Sequence, residues 1–441
     1  MSIVLHAVGG YDEVGRNMTC IEIGNEAVII DMGLYLDRYV PLQDDEHLSY
    51  QKLVQEDAIP NDNSISSIKK KVKAIILSHA HLDHIGAVRW IAHRYKCPIV
   101  STPYTIETLK RMTHNKSFEL KNKLITINPN SRYQVSKNIE VEFIHVTHSI
   151  IQASMVNISL PQGNILYSLD YKFDNHPIVG SKTNKKRLKA LGKEHVIALI
   201  LDSTNAEEEK KTFSESVARE MLRDVLLGME TEGHGIIVTT FSSHIARLKS
   251  IVDMGNHLDR KIVFIGRSLS DYIGAAEKLG FVNFSKNAEI IKSTFGAKKR
   301  LEEMNKNREK YMIVATGGQG EPNATLSKMA NSEIPFAIMP DDFIVFACGV
   351  IPTPMIQANR KILEHKLHNK KARMFKDIHV SGHASREDLR DLIKIISPDV
   401  IIPAHGNMQK LASAATLASE MGYRLGKDVY LLQNGQSVTI E

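Results

Sequence analysis

Cysteine is scarce in this chain: three residues in 441, at positions 20, 97 and 348, odd in number, far apart and never in a CxxC pair. That excludes a disulfide framework and a thiolate zinc site, and leaves Cys20, Cys97 and Cys348 as buried structural thiols. Long apolar runs are missing too; none approaches the ~20 residues that cross a bilayer, so no membrane partner is expected. The amino-terminal stretch MSIVLHAVGGYDEVGRN has no basic n-region and no small-residue cleavage site. It reads as the first strand and turn of the fold, which predicts a cytoplasmic protein. Proline and glycine blocks, internal repeats and low-complexity tracts are absent, which excludes fibrous and disordered classes. Neither sign of charge dominates: the net charge is +6 with a pI near 8.9, a balance that permits a polyanionic partner without requiring one.

What is present is an ordinary globular composition, 43% hydrophobic and 24% charged. A chain of 441 residues exceeds what one hydrophobic core usually supports, so two domains, or one carrying an insertion, are expected. Aliphatic runs recur through the first half: AVIID (27 to 31), VKAIILS (72 to 78), VEFIHVT (141 to 147), NILYSLD (164 to 170) and VIALILD (196 to 202). They read as buried strands, each ending near an Asp or His, so that candidate ligands gather at strand ends. The polar segment FDNHPIVGSKTNKKRLKALGKEH between two of them predicts loop plus a short helix.

After residue 204 the pattern changes to helix and strand in alternation: SVAREMLRDVLLGMETEG, GIIVTTF, HIARLKSIVDMGNHL, KIVFIG, SDYIGAAEKLG. That is the pattern of βαβ units on a parallel sheet. It places a first domain at 1–204 and a second at 205–365. The segment 366–441 contains IHVSGHASREDLRDLIKIISPDVIIPAHG and returns to the first pattern, so the second domain reads as an insertion.

The most informative stretch is AIILSHAHLDHIGAV, Ala74 to Val88, in which His79, His81, Asp83 and His84 follow a buried strand within six residues. One ion cannot easily use four ligands from so short a loop. Two can, and mixed imidazole and carboxylate donors suit borderline cations such as Zn²⁺ or Mn²⁺.

This pattern resembles the signature of the metallo-β-lactamase fold, and the remaining motifs follow in that family's order: Asp31 in AVIIDMG, His148 in VTHSI, Asp170 in SLDYKFD and His405 in IIPAHGN. His145 is the alternative to His148; the THSI context favours His148. The resemblance implies an αββα sandwich of α/β class. It implies that His79, His81 and His148 hold one metal, that Asp83, His84 and His405 hold the other with Asp170 bridging, and that Asp31 orients a ligand imidazole.

The insertion, together with Asp202 in LILDSTNAE, His383 in HVSGHAS and His405, resembles the β-CASP nucleases. Within that branch GGYDEVGRNM, TTFSSHIARL, IGRSL and ATGGQGEP resemble the ribonuclease J family over essentially the full chain. The chain stops about 35 residues after His405, and this build is similar to the shorter, archaeal form of the family.

The resemblance implies a two-metal hydrolase that degrades single-stranded RNA from the 5′ end, prefers a 5′ monophosphate and cuts internally as well, in RNA decay or processing. Its cofactors would be two divalent ions, Zn²⁺ first, with Mn²⁺ and Mg²⁺ as alternatives. His383, Asp202 and Asp83 would be the catalytic residues, with His383 beside the scissile phosphate. Candidate RNA and 5′-phosphate donors are Ser242, Ser243 and His244, Arg267 and Ser268, Gly318, Gln319 and Gly320, and Ser381 and Gly382. A homodimer and association with RNA-decay complexes are family expectations. Aromatics make up 6% of the chain, which points to grip through phosphate and sugar.

The basic run KLHNKKARMFK, 366 to 376, reads either as an electrostatic guide for RNA or as a solvated face, and AKKRLEEMNKNREK, 297 to 310, as an exposed helix without function. The competing readings are an endonuclease of RNA 3′-end processing, a small-molecule metallohydrolase, and a catalytically inactive RNA-binding homologue.

Overall fold

The computed structural model describes residues 2–42, 48–113 and 120–440. Contacts divide the chain into two units: 1–175 with 181–212 and 382–441, and 176–180 with 213–381.

In the first unit the opening strands are Ile3–Gly9 (β1), Met18–Ile23 (β2), Glu26–Ile30 (β3), Val72–Leu77 (β4), Ile99–Ser101 (β5) and Leu124–Thr126 (β6). Then follow Ser131–Gln134 (β7), Glu140–His145 (β8), Ser154–Leu160 (β9), Gly163–Tyr167 (β10) and Val196–Asp202 (β11). The inserted unit supplies Ile236–Thr239 (β12), Lys261–Ile265 (β13), Ala288–Ile291 (β14), Tyr311–Ala315 (β15), Phe343–Phe346 (β16) and Arg373–Phe375 (β17). Val400–Ala404 (β18) and Ser437–Ile440 (β19) return to the first unit.

The first unit is a sandwich of two sheets, ordered β19-β1-β2-β3-β4-β5-β6 and β18-β11-β10-β9-β8-β7. One core fills the space between them: Leu5, Ile21, Val28, Ile30 and Ile76 from the first sheet meet Phe143, Ile158, Tyr167, Ile200 and Ile402 from the second. The helices Arg386–Ile396 and Met408–Glu420 pack against β11 and β18, and Pro103–Thr113 packs against β6, completing the αββα architecture expected from the sequence. Because β11 is covered on both faces, all seven of its residues are buried, which is why it reads as an unbroken aliphatic run.

β3 and β4 pair in parallel, as do β10 with β11 and β11 with β18. Parallel pairing brings the carboxyl ends of neighbouring strands to one edge, where loops can form a ligand cleft. Asp31, His79, Asp170, Asp202 and His405 all sit at or just past such ends. Three of them, Asp31, Asp170 and His405, have φ of 62°, 62° and 57°, a left-handed conformation that costs a non-glycine residue roughly 1–3 kcal/mol. The chain turns sharply there, and the surrounding bonds hold the side chains inward.

The inserted unit carries a parallel sheet ordered β14-β13-β15-β12-β16-β17, as the alternation predicts. One expectation needs correction, and one boundary is placed differently by contacts: β17 pairs with β16 and keeps residues up to 381 with the inserted unit, whereas the sequence pattern puts the return at 366. The 297–310 segment is not a wholly exposed helix: its helix, Lys298–Lys306, buries Leu301 and Met304 in the inserted unit's core.

Among the described residues no helix is long and apolar enough to cross a membrane. The three cysteines are buried and free.

Candidate metal centre

β4 ends at Leu77 and the chain turns through Ser78 and His79 into the short helix Leu82–Ile85, whose first turn carries Asp83 and His84. The turn is clamped to the segment after β3, where Met32 N donates to His84 O at 2.7 Å and Leu34 N to Leu82 O at 2.9 Å, and to the residue before β2, where Asn17 N donates to Asp83 O at 3.0 Å. Residue 33 must be glycine, because a Cβ there would stand 1.6 Å from Asp83 O. The approach of these two backbones fixes where Asp83 and His84 point.

Two sets of side chains result. His79 Nε2 and His148 Nε2 each stand 3.1 Å from His81 Nδ1, and Asp170 Oδ2 stands 3.5 Å from both Nε2 atoms. His84 Nε2 lies 3.2 Å from Asp170 Oδ2 and 3.6 Å from Asp83 Oδ2; His405 Nε2 lies 3.7 Å from Asp83 Oδ2 and 3.6 Å from Asp170 Oδ1. Ligands about 2.1 Å from a tetrahedral ion are about 3.4 Å apart. Each set therefore has the spacing of a metal cage, and the ligand atoms within each lie within 4.8 Å of one another. Asp170 belongs to both.

The chemistry of the donors fits cations as well. Asp170 is 1% exposed, and its Oδ1 has no hydrogen-bond partner among the described residues, although a buried carboxylate oxygen is costly to leave unpaired. Burial raises its pKa, but His405, His84 and His383 outweigh this and hold it well below the usual carboxylate range, so it is charged. Burial, then the nearby imidazoles, hold His81 and His148 well below the usual imidazole range, and His79 is lowered by burial and His84. Neutral imidazole is the form that binds metal. For His84 burial again favours the neutral form, but Asp170, Asp83 and Asp31 outweigh it and raise its pKa well above the ordinary value. A proton there competes with a cation for the same Nε2.

The imidazoles are oriented from behind. Asp31, fully buried, accepts from Ser78 N and Oγ at 2.8 Å each, from His84 Nδ1 at 2.7 Å and from Tyr167 OH at 3.0 Å. His148 Nδ1 donates to Gly382 O at 2.7 Å. A Cβ on Gly382 would come within 2.9 Å of the His148 ring, so this glycine is a packing requirement. His145 turns away and donates through Nε2 to Ser181 O at 2.9 Å, which leaves His148 in the cluster.

Asn17 was not singled out from the sequence, although it lies in the GRNM stretch. Its Oδ1 accepts from His405 Nδ1 at 2.9 Å and its Nδ2 donates to Asp83 O at 3.0 Å, so one amide positions two members of the second set. Asn17→Ala is expected to lower affinity for the second ion 10- to 100-fold with the fold intact, read by metal titration against a chelator.

Beside both sets, His383 Nδ1 donates to Asp202 Oδ2 at 2.9 Å, and its Nε2 faces Asp170 Oδ2 at 3.9 Å. Asp202 is fully buried, and its Oδ1 accepts from Thr204 N and Oγ1. Burial opposes charge on His383, but Asp202 and then Asp170 outweigh it, and its pKa is pushed up to about 9.

The sequence-derived RNA donors divide. On the inserted unit Arg267 and Ser268 are exposed, and Ser268 shares a 2.9 Å hydroxyl bond with Ser242. Ser381 is half-buried there, whereas Gly382 is buried in the first unit. Ser243 and His244 are buried; His244 caps the helix Ile245–His257 by accepting from Arg247 N and stands 3.4 Å from Glu215. His244 is thus structural, not a phosphate donor.

Arg247, fully buried, holds Glu215 at 2.5 and 2.9 Å and donates to Ala347 O and Ile378 O. Arg247→Met strands a buried carboxylate and is expected to cost the inserted unit about 3–5 kcal/mol in urea unfolding. Burial raises the Glu215 pKa, but His244 and Arg247 hold it below its ordinary 4.5. The pair's contribution is therefore full above pH ~4.5 and fades as pH falls below it, so the two proteins' stabilities converge in acid.

The GGQG turn is also corrected. Gly318, Gln319 and Gly320 are buried; Gln319 N donates to Glu321 and Gly320 N to Gly317 O, while the Gln319 amide binds Gly349 O and Ile351 N. The turn braces the segment at 349–351 and does not present these two amides to a phosphate. In the 366–376 run Lys366, Lys370, Arg373 and Lys376 bind Asn331, Ser332, Asp341 and Glu364, as on a solvated face.

Comparison with known proteins agrees with this architecture. The family models that match are "Metallo-beta-lactamase superfamily" over residues 11–168, "Ribonuclease J, beta-CASP domain" over 233–364, and "Zn-dependent metallo-hydrolase RNA specificity domain" over 368–432. A crystal structure of a protein of unknown function from Enterococcus faecalis V583 aligns over 100% of both chains with a TM-score of 0.67 at 16% identity, a likeness of fold alone. Fold and site together define a metallo-β-lactamase-type protein with a β-CASP insertion. The chain is 43% identical to Ribonuclease J of Methanocaldococcus jannaschii, covering 100% of this chain and 99% of that one. It is 46% identical to Ribonuclease J of Pyrococcus abyssi, covering 99% and 97%. It belongs to the ribonuclease J family.

Proposed function

We propose that the protein is a metal-dependent ribonuclease that degrades single-stranded RNA from the 5′ end, with preference for a 5′ monophosphate. The observation that carries the reading is Asp170, shared by two cage-like ligand sets, with the His383–Asp202 pair beside it. His79, His81 and His148 would hold one divalent cation and Asp83, His84 and His405 the other, Zn²⁺ being the first choice for these donors. Bound there, the cations supply water activation and neutralise charge on a phosphodiester.

The chain's own residues do the rest. Asp31, Asn17 and the Gly382 carbonyl fix which nitrogen of His84, His405 and His148 faces the cleft. Asp202 accepts the hydrogen bond from His383 Nδ1–H and favours the protonated ring, so that the proton on Nε2 can pass to the departing 3′ oxygen. Arg267 with the Ser242–Ser268 hydroxyls offers exposed phosphate donors that suit a 5′-end contact.

The test is single-stranded RNA with a 5′ monophosphate, labelled at the 5′ end in one reaction and at the 3′ end in another, with His81→Ala as control. Immediate release of labelled mononucleotide from the first substrate, while the 3′ label survives in long products, is the expected result. Discrete internal fragments in both, with no mononucleotide, would overturn the 5′-end reading in favour of an endonuclease. No cleavage with Zn²⁺ or Mn²⁺ would favour an inactive RNA-binding homologue.

A further inference from the structure

The turn between β14 and the helix Lys298–Lys306 carries the most exposed large hydrophobic side chain among the described residues: Phe295, 96% exposed. The turn is nonetheless built, since Phe295 N donates to Ser293 Oγ at 3.2 Å and Ala297 N to Thr294 O at 3.2 Å. The ring contributes nothing to packing and leaves its whole apolar face in water.

Three cations flank it. Lys292 leans towards Asp271 at 3.3 Å with its side chain 64% exposed. Lys298 and Lys299 are exposed, and neither has an ion pair among the described residues. Arg300, next in line, differs: Glu289, Glu303 and the Tyr311 hydroxyl hold it. Lys298 and Lys299 also open a helix that has no acid in its first turn and no side-chain cap, where positive charge opposes the helix dipole. Helix stability therefore does not explain them. An aromatic face beside unpaired cations is the pairing of groups that recognises single-stranded nucleic acid: the ring takes a base and the cations take the phosphates on either side.

A second copy of this chain fits the turn poorly. A twofold contact centred on Phe295 would set Lys298 and Lys299 against their own symmetry mates, and one aromatic ring covers far less than a stable dimer interface needs.

We infer that the Phe295 turn, with Lys298 and Lys299, is an accessory contact for single-stranded RNA on the inserted unit, one base stacking on Phe295. The inference rests on the ribonuclease reading above, and it concerns a part of the chain remote in sequence from the metal ligands.

Binding is measured with the metal-loaded protein and a fluorescent, cleavage-resistant phosphorothioate RNA 20-mer, its integrity checked on a gel. Phe295→Ala is expected to weaken binding about tenfold, Phe295→Trp to keep it within about twofold, and a Lys298→Gln, Lys299→Gln double variant to flatten the log K against log salt slope by about 1.4. Equal affinity of Phe295→Ala and the parent protein overturns the inference and leaves the ribonuclease reading standing. No RNA binding by the parent protein overturns both. Sedimentation closes the remaining route: a dimer that Phe295→Ala splits, with RNA affinity unchanged, makes the turn a self-interface and overturns the inference.

Discussion

Asp170→Asn is expected to abolish metal loading at both positions and to lower RNA cleavage by about a thousandfold or more. One carboxylate serves both ligand sets, so its loss differs in kind from the loss of any one imidazole. The amide is nearly the same size, so the pocket keeps its shape, but it carries no negative charge and offers a single weak acceptor. Elemental analysis checks the first half of the prediction and cleavage rate the second. A thermal melt separates this outcome from misfolding: adding Zn²⁺ or Mn²⁺ raises the midpoint of the parent protein, since a cation that binds only the folded state stabilises it, and leaves that of Asp170→Asn unmoved. Normal metal content in the variant would remove Asp170 from both sets.

His383→Ala is expected to lower kcat by about 10²–10⁴-fold while metal content and the metal-induced rise in melting midpoint stay as in the parent. The side chain lies outside both ligand sets, grouped instead with Asp170 and Asp202, and it bonds Asp202 at 2.9 Å. Asp202→Asn supplies the internal check. An amide that presents its NH₂ to Nδ1 forces the proton onto the other nitrogen and removes the charge that raises the His383 pKa, so kcat falls while metal content holds and the alkaline limb of the rate profile moves to lower pH. The direction follows from Asp202 being the largest influence that raises this pKa; losing it lets the proton leave earlier. If His383→Ala lost metal along with activity, the residue would be a ligand and the proton-donor role would fall.

The ligand motif was readable because its residues are local. His79, His81, Asp83 and His84 lie within six consecutive positions after a buried strand, and the chain presents them from one turn leading into a short helix. The strand runs and the alternation after residue 204 were equally legible, since period and composition follow directly from burial on two faces. The phosphate donors were less so. His244, Gln319 and Gly320 have the composition of an anion site, yet Glu215, Glu321, Gly349 and Ile351 already use their polar groups, and those partners lie up to 32 residues away in the chain.

The sequence by itself determined the kinds of donor, their order and the strands that deliver them, because side-chain chemistry and hydrophobic period are properties of short segments. The family resemblance implied the pairing of those donors and the choice of His148 over His145; the tertiary structure brings the donor atoms within cage distance, sets Asp170 in both groups, shows that Asn17 rather than a second carboxylate holds His405, and turns His145 away to Ser181. Those are decisions about direction. They depend on parallel strands reaching one edge together, on backbones as close as Gly33 and Asp83, and on left-handed turns at Asp31, Asp170 and His405, and all of these arise from contacts between residues far apart in the chain.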